Sequence, residues 1–433
     1  MKALATRWLS GDERTLGLLL AGGVLTMAFF RLDNLRADLG VAPGPAFPLV
    51  LLLVAGALAW RSLLSRGFVW LEPAVLTWRD FGGVDREQLV ARRLVAGWVG
   101  RQLALGYLLA LLAAVAAVPR AWTLAGVAVL FAGGALTLGV ARQDRRAGET
   151  AVVTTLAAAA VIVRPNAANL LVLAAATALL AVPLLAGSGP PARPHIATRA
   201  GRLRLVDGWR GRVLRTTGVQ FLDLAMLLPA ARPVGPRPLR RPTGLRLAWL
   251  GVLGRARHVP TAALLAFTAV ATHLALPALP AEVVFALLGY LAMVPLAAGL
   301  GELWRSPGRR RWVGRTDAAL RADHLVVLTA LAAGWAAAVL GLAALAGHGW
   351  PATVLLTVPL MSACAIRTVS RNPPTYDNLA QVDTPVGAMP MRLILQTLRG
   401  PDVGVLAVVL VPALPTLAGV AVVAAVVALC VLR

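Results

Sequence analysis

The 433-residue chain is 58% hydrophobic and 14% charged, with a mean hydropathy of +0.75, whereas a soluble domain is roughly half apolar and about a quarter charged. This composition excludes a string of soluble domains and points to an integral membrane protein. The net charge of +23 does not point to nucleic acid, because the basic residues are 41 Arg and a single Lys, Lys2, standing between the apolar runs as topology signals do.

In chain order, apolar runs at 15–31, 45–64, 94–118, 122–141, 150–164 and 167–187 predict six spans. A stretch rich in Pro, Arg and Gly follows at 188–257, and runs at 258–276, 281–301, 325–346, 350–367, 402–415 and 417–432 predict six more. The expected fold is an all-α polytopic membrane protein of about twelve transmembrane helices. Its halves, 1–187 and 258–433, are joined by a basic cytoplasmic linker at 188–257. Pro412 and Pro415 leave 402–432 open as two short spans or one broken one. Asp12 and Glu13 precede the first run and no small-residue cleavage motif follows it, so that run is expected to stay as a membrane helix. Inside the linker, 209–228 mixes Arg210, Arg212 and Arg215 with Val213, Leu214, Phe221, Leu222, Leu224 and Leu227, which predicts an amphipathic helix on the inner leaflet.

With the N-terminus in the cytoplasm, the inward segments hold 37 basic residues and the outward segments four, Arg31, Arg36, Arg120 and Arg164. The positive-inside rule then puts both termini in the cytoplasm of a multi-pass protein of the cell membrane. Trp8, Trp60, Trp122, Trp304 and Trp350 stand near span ends, where interfacial anchors belong.

The halves share a pattern at one topological place. Gly67, Trp70, Pro73 and Trp78 follow the second span, and Gly301, Trp304, Pro307 and Trp312 follow the eighth, at a constant offset of 234. Asp85, Arg86, Glu87, Arg92 and Arg93 come next in the first loop; Asp317, Arg321, Asp323 and His324 come next in the second. Asp85 and Asp317 read as helix caps or first-turn acids. Each loop is therefore predicted to carry a short cytoplasmic helix, at 84–93 and 316–324, running into a span. Six spans per half give the halves the same orientation, as two parallel repeats about an axis along the membrane normal. A third cytoplasmic loop, 367–401, carries turn signals at Asn372–Pro374, Thr384–Gly387 and Arg399–Asp402 and an apolar run at Met391–Leu398, and is expected to be structured.

Chemistry is sparse. A P-loop needs a Lys after its second glycine, and Lys2 is the only Lys. Cys364 and Cys430 lack the spacing of a metal or disulfide framework and read as packing residues. None of the 19 acidic residues falls clearly inside a span, and Glu282 and Glu302 bracket the eighth. Ion-coupled carriers commonly use buried carboxylates, so this pattern weighs against that mechanism. Arg101, inside the third span, reads either as an interfacial snorkel or as a pathway residue, and His273 as a packing histidine. No catalytic or metal constellation emerges, so neither catalysis nor a resident cofactor is expected in this chain.

Taken together, the plan resembles the membrane subunits of ABC exporters of the type-V, or type-2 permease, class, here as a fused pseudo-dimer. Strings such as Trp78–Asp80, Asp85–Leu89 with Arg92–Leu94, Asp383–Pro390 and Leu398–Asp402 are similar to an actinobacterial family of permease-like proteins. The resemblance implies separately encoded ABC ATPase partners, with ATP and magnesium entering only through them. It also implies that Trp70, Pro73, Trp78, Asp85, Arg86, Arg92 and Arg93 form one coupling helix. Trp304, Pro307, Trp312, Asp317, Arg321 and Asp323 would form the other. The two loops differ in charge, so two different ATPases, or one bound in two ways, would follow. The competing readings are a major-facilitator-like secondary carrier and a non-transporting membrane scaffold.

Overall fold

A computed structural model describes residues 29–39, 70–82, 86–115, 200–220, 244–275, 279–345, 349–371, 381–384, 387–390, 400–410 and 414–432, with a few isolated positions between them. The spans expected at 45–64, 122–141, 150–164 and 167–187 and most of 15–31 lie outside these residues, as do Asp85 and the run 391–398.

The helices in the first half are α1 (Leu32–Leu39), α2 (Pro73–Phe81) and α3 (Arg86–Val115). The linker supplies α4 (Arg202–Gln220) and α5 (Gly244–Leu253). The second half contains α6 (Val259–Ala275), α7 (Ala281–Arg305), α8 (Pro307–Trp312), α9 (Asp317–Leu345), α10 (Thr357–Val369), α11 (Pro401–Leu410) and α12 (Thr416–Leu432). Four helices among the described residues are long and apolar enough to cross a membrane: Arg86–Val115, Ala281–Arg305, Asp317–Ala344, and Ala352–Val369, in which a 3₁₀ turn leads into α10. The chain is thus a helical protein suited to membrane insertion.

Two expectations change here. The stretches 84–93 and 316–324 do not form separate short helices; their described residues are the opening turns of α3 and α9. Their charged residues sit among good helix formers such as Leu, Ala, Glu and Arg, and nothing interrupts the backbone hydrogen bonds before the apolar run. The separate short helices lie upstream, and each starts on a proline. The linker helix, too, starts at Arg202 rather than 209, because Leu205 is fully buried against Leu71, Leu76, Val90 and Leu94, and the Leu71 N–H donates to the Leu205 carbonyl (3.3 Å). Val213 and Leu214 are left exposed.

Residues 402–432 resolve into two helices, with Pro415 immediately before α12. One β-hairpin adds to the helical plan. Gln381–Thr384 pairs antiparallel with Gly387–Pro390, with Thr384 opposite Gly387.

The second-half core lies between α6, α7, α9 and α10. Phe285 of α7 is fully buried and meets Trp335 and Trp350 edge to face, with ring centroids 5.1 and 5.4 Å away. The Trp335 Nε1–H donates to the Ala262 carbonyl (2.8 Å), so this buried indole ties α9 to α6 with no polar atom left over. The helix α11 joins through Ala407 and Val408 against Ala286, Leu360 and Cys364, and α12 packs on the same cluster through Val422 and Val426.

Two glycines set how closely α7 approaches its neighbours. A Cβ at Gly299 would stand 2.9 Å from the Gly251 Cα of α5, which is backbone; one at Gly289 would meet chiefly the sulfur of Met361, the far end of a flexible side chain, and stand 3.0 Å from the Trp335 ring. Gly299→Ala is therefore expected to cost about 1–3 kcal/mol of stability by forcing α5 from α7. Gly289→Ala should cost less, because Met361 can change rotamer. Thermal unfolding of the two variants in the same detergent gives the ranking, and the opposite order would show that the α5–α7 crossing yields easily.

Polar contacts sort the connections to two ends. At one end of the second half are the ion pairs Arg255–Glu302, Arg310–Asp317, Arg315–Asp323 and Arg367–Asp402, and Arg321 donates to the Val431 carbonyl (3.3 Å) near the C-terminus. At the other, Thr353 donates to Glu282 and His273 stacks near Trp350. In the first half, Arg36 donates to the carbonyls of Ala114 (2.6 Å) and Val115 (3.2 Å), capping the negative end of α3. The opposite end of α3 meets α2 and α4 through Leu71, Leu76 and Leu205. Residues 32–39 and 202–220 thus lie at opposite ends of α3.

Candidate functional site

The same junction is built in each half where a short helix meets a long apolar one. In the first, Trp70 is followed by Pro73 at the first position of α2, where a missing N–H costs nothing. α2 ends at Gly82, whose N–H donates to the Trp78 carbonyl (3.0 Å). In the second, Trp304 is the last residue but one of α7 and Pro307 opens α8. α8 stops at Gly314, whose φ of 66° favours glycine.

Each leading tryptophan lies under arginines. The Arg93 guanidinium of α3 sits 4.2 Å from the Trp70 ring and donates to the Trp70 carbonyl (3.4 Å), while Arg212 of α4 sits 4.5 Å from the ring. Trp209 completes the cluster at 5.2 Å. In the second half, Arg321 of α9 and Arg310 of α8 lie 4.9 and 4.8 Å from Trp304. In both halves, then, an arginine from the long helix after the junction covers the tryptophan before it, an attraction that strengthens with desolvation. The positioning is supported by Arg202, which donates to the Thr77 hydroxyl (2.9 Å), and by Thr316, which accepts the Ala319 N–H (3.3 Å) as a cap of α9.

The second tryptophan of each junction is presented rather than packed. Trp78 is 78% exposed and Trp312 is 92% exposed, and Phe81 stands beside Trp78 at the end of α2. The two short helices differ in charge: α8 carries Arg309, Arg310 and Arg311, whereas α2 carries Arg79 and Asp80.

The remaining sequence-derived positions fall into place unequally. Arg92 is exposed on α3, Arg86 opens that helix half-buried, and Asp317 opens α9 in its ion pair with Arg310. Arg321 and Asp323 turn inward. The first is 8% exposed; the second pairs with Arg315 against Gly244, where its charge suits the first turn of α5. Arg101 lies on α3, and its side chain is outside the described residues. Its neighbour Gln102 is buried, with both amide atoms unpartnered among the described residues.

Arg255 carried no sequence signal beyond being one of many linker arginines. It is 1% exposed and donates to the carbonyls of Pro229 (3.0 Å) and Gly251 (2.9 Å) and to Glu302 (2.5 Å). Burial lowers its pKa, and the Glu302 carboxylate opposes that shift. Glu302 also accepts the Ala231 N–H (3.3 Å), so the linker is fastened two residues before Trp304.

No metal-ligating cluster occurs among the described residues. No protein family, no curated protein and no solved structure matches the chain.

Proposed function

We propose that the chain is the membrane subunit of an ABC-type exporter. On this reading it has about twelve spans in two parallel six-helix repeats with both termini in the cytoplasm, and separate ATPase subunits dock on α2 and α8. The observation that supports the reading is the doubled junction, in which a proline-started helix holds an exposed tryptophan beside the foot of a long apolar helix. Tryptophan is over-represented among the few interface residues that dominate binding energy. Two such residues at equivalent positions, each on a helix braced by an arginine-covered tryptophan, suit a partner that binds twice. On this reading the docking element is 73–81 and 307–312, with Arg93 and Arg321 as internal braces rather than contact residues. ATP and magnesium would belong wholly to the partner.

A photo-crosslinking amino acid placed at Trp78 or Trp312 tests this directly in the native membrane. The expected product is an adduct with an ATP-hydrolysing protein at both positions. Adducts with lipid alone, or with another integral membrane protein, would overturn the reading, and the second of these would favour a scaffold.

A further inference from the structure

Between α5, α7 and α9, at the arginine-rich end of the second half, lies a cavity of about 190 Å³. Leu247, Leu250 and Leu303 form its apolar wall, and Arg255, Glu302, Arg309 and His324 its polar one. Glu302 is the acid there, and its charge is engaged by Arg255. Arg309 in the cavity lining is exposed and makes no ion pair among the described residues, and Arg305, near enough to Arg255 to act on its charge, is likewise exposed and without an ion pair there, so the region around the cavity carries an excess of positive charge. His324 is 4% exposed and its Nδ1 donates to the Leu320 carbonyl (2.8 Å), which leaves Nε2 for a ligand.

We infer that this cavity binds the headgroup of an anionic phospholipid. Basic pockets between membrane helices on the inner side attract such headgroups. Here Arg305 and Arg309 supply free donors for a phosphate, His324 Nε2 supplies a partner for a headgroup hydroxyl, and the leucine wall lies where the acyl chains would begin. The Arg255–Glu302 pair builds the floor and is not available to the ligand, because three of the guanidinium's bonds are already made within the protein. The cavity lies next to Trp304, so an occupied headgroup would brace that junction. The inference does not rest on the exporter reading, and its failure would leave the crosslinks at Trp78 and Trp312 unaffected.

Native mass spectrometry of the full, delipidated chain tests it by titration with phosphatidylglycerol, phosphatidylcholine or inorganic phosphate. One phosphatidylglycerol is expected to bind about tenfold more tightly than phosphatidylcholine. The exposed-site double variant Arg305→Ala/Arg309→Ala should lose that preference, while Arg210→Ala on α4 should keep it. Equal retention of the two lipids, an unchanged preference in the double variant, or displacement of lipid by inorganic phosphate at matching concentration would each overturn the assignment, the last identifying a soluble-anion site instead.

Discussion

Trp304→Ala is expected to lower the stability of the purified chain by about 3–5 kcal/mol, the range seen when a buried tryptophan is truncated. Trp304 is 5% exposed and is covered by Arg310 and Arg321. Its removal takes away packing area and both ring faces and leaves Arg321, itself 8% exposed, over a void. Trp304→Phe keeps an aromatic face and should recover a large part of the loss. Thermal scans of both variants in one detergent at one heating rate provide the comparison. A Trp304→Ala protein as stable as the parent would mean that the ring is not the anchor of this junction.

The double variant Trp78→Ala/Trp312→Ala should leave stability nearly unchanged, because both rings are exposed. On the proposed exporter reading, its association with an ATPase partner should fall by about 30-fold or more, corresponding to about 2 kcal/mol for a tryptophan at the centre of an interface. The single variants should differ in salt response. Arg311 is exposed beside Trp312 on α8, so the contact that survives in Trp78→Ala should weaken with ionic strength. The contact surviving in Trp312→Ala rests on Trp78 and Phe81 and should be far less salt-sensitive. Partner pull-down across a salt series reads both effects. Intact association in the double variant would remove α2 and α8 from the docking surface.

Much of this arrangement was legible because certain residues announce their physics locally. The 234-residue offset set Pro73 and Pro307 in equivalent loops, although the short helices were expected after them, at 84–93 and 316–324, and not starting on them as a proline's fixed φ and missing N–H allow. The apolar runs that became α7, α9 and α10 were long enough to read by length alone. The continuity of 86–93 with α3 was not legible. Arg92 and Arg93 look like an interfacial boundary in a hydropathy trace, yet a helix can carry charge on its outer turns without breaking. Arg255 was invisible for another reason: burial of one arginine among fourteen basic linker residues is a tertiary fact, set by where Pro229, Gly251 and Glu302 meet. The hairpin at 381–390 was visible only as its turn, because strands of four residues are too short to show alternation.

The unbroken course of α3 and α9 has a mechanical consequence. Thirty and twenty-nine residues at 1.5 Å each give rods of about 45 and 43 Å, longer than the roughly 30 Å hydrocarbon layer. Neither contains proline, whereas α7 carries Pro295 in its interior. A push along the axis at Arg93 or Arg321, near the start of each rod, is therefore carried to its far end with no repacking along the shaft. In the first half that far end is where Arg36 grips the carbonyls of Ala114 and Val115, so a displacement beginning beneath Trp70 reaches the opposite surface as a pull on a hydrogen-bonded latch.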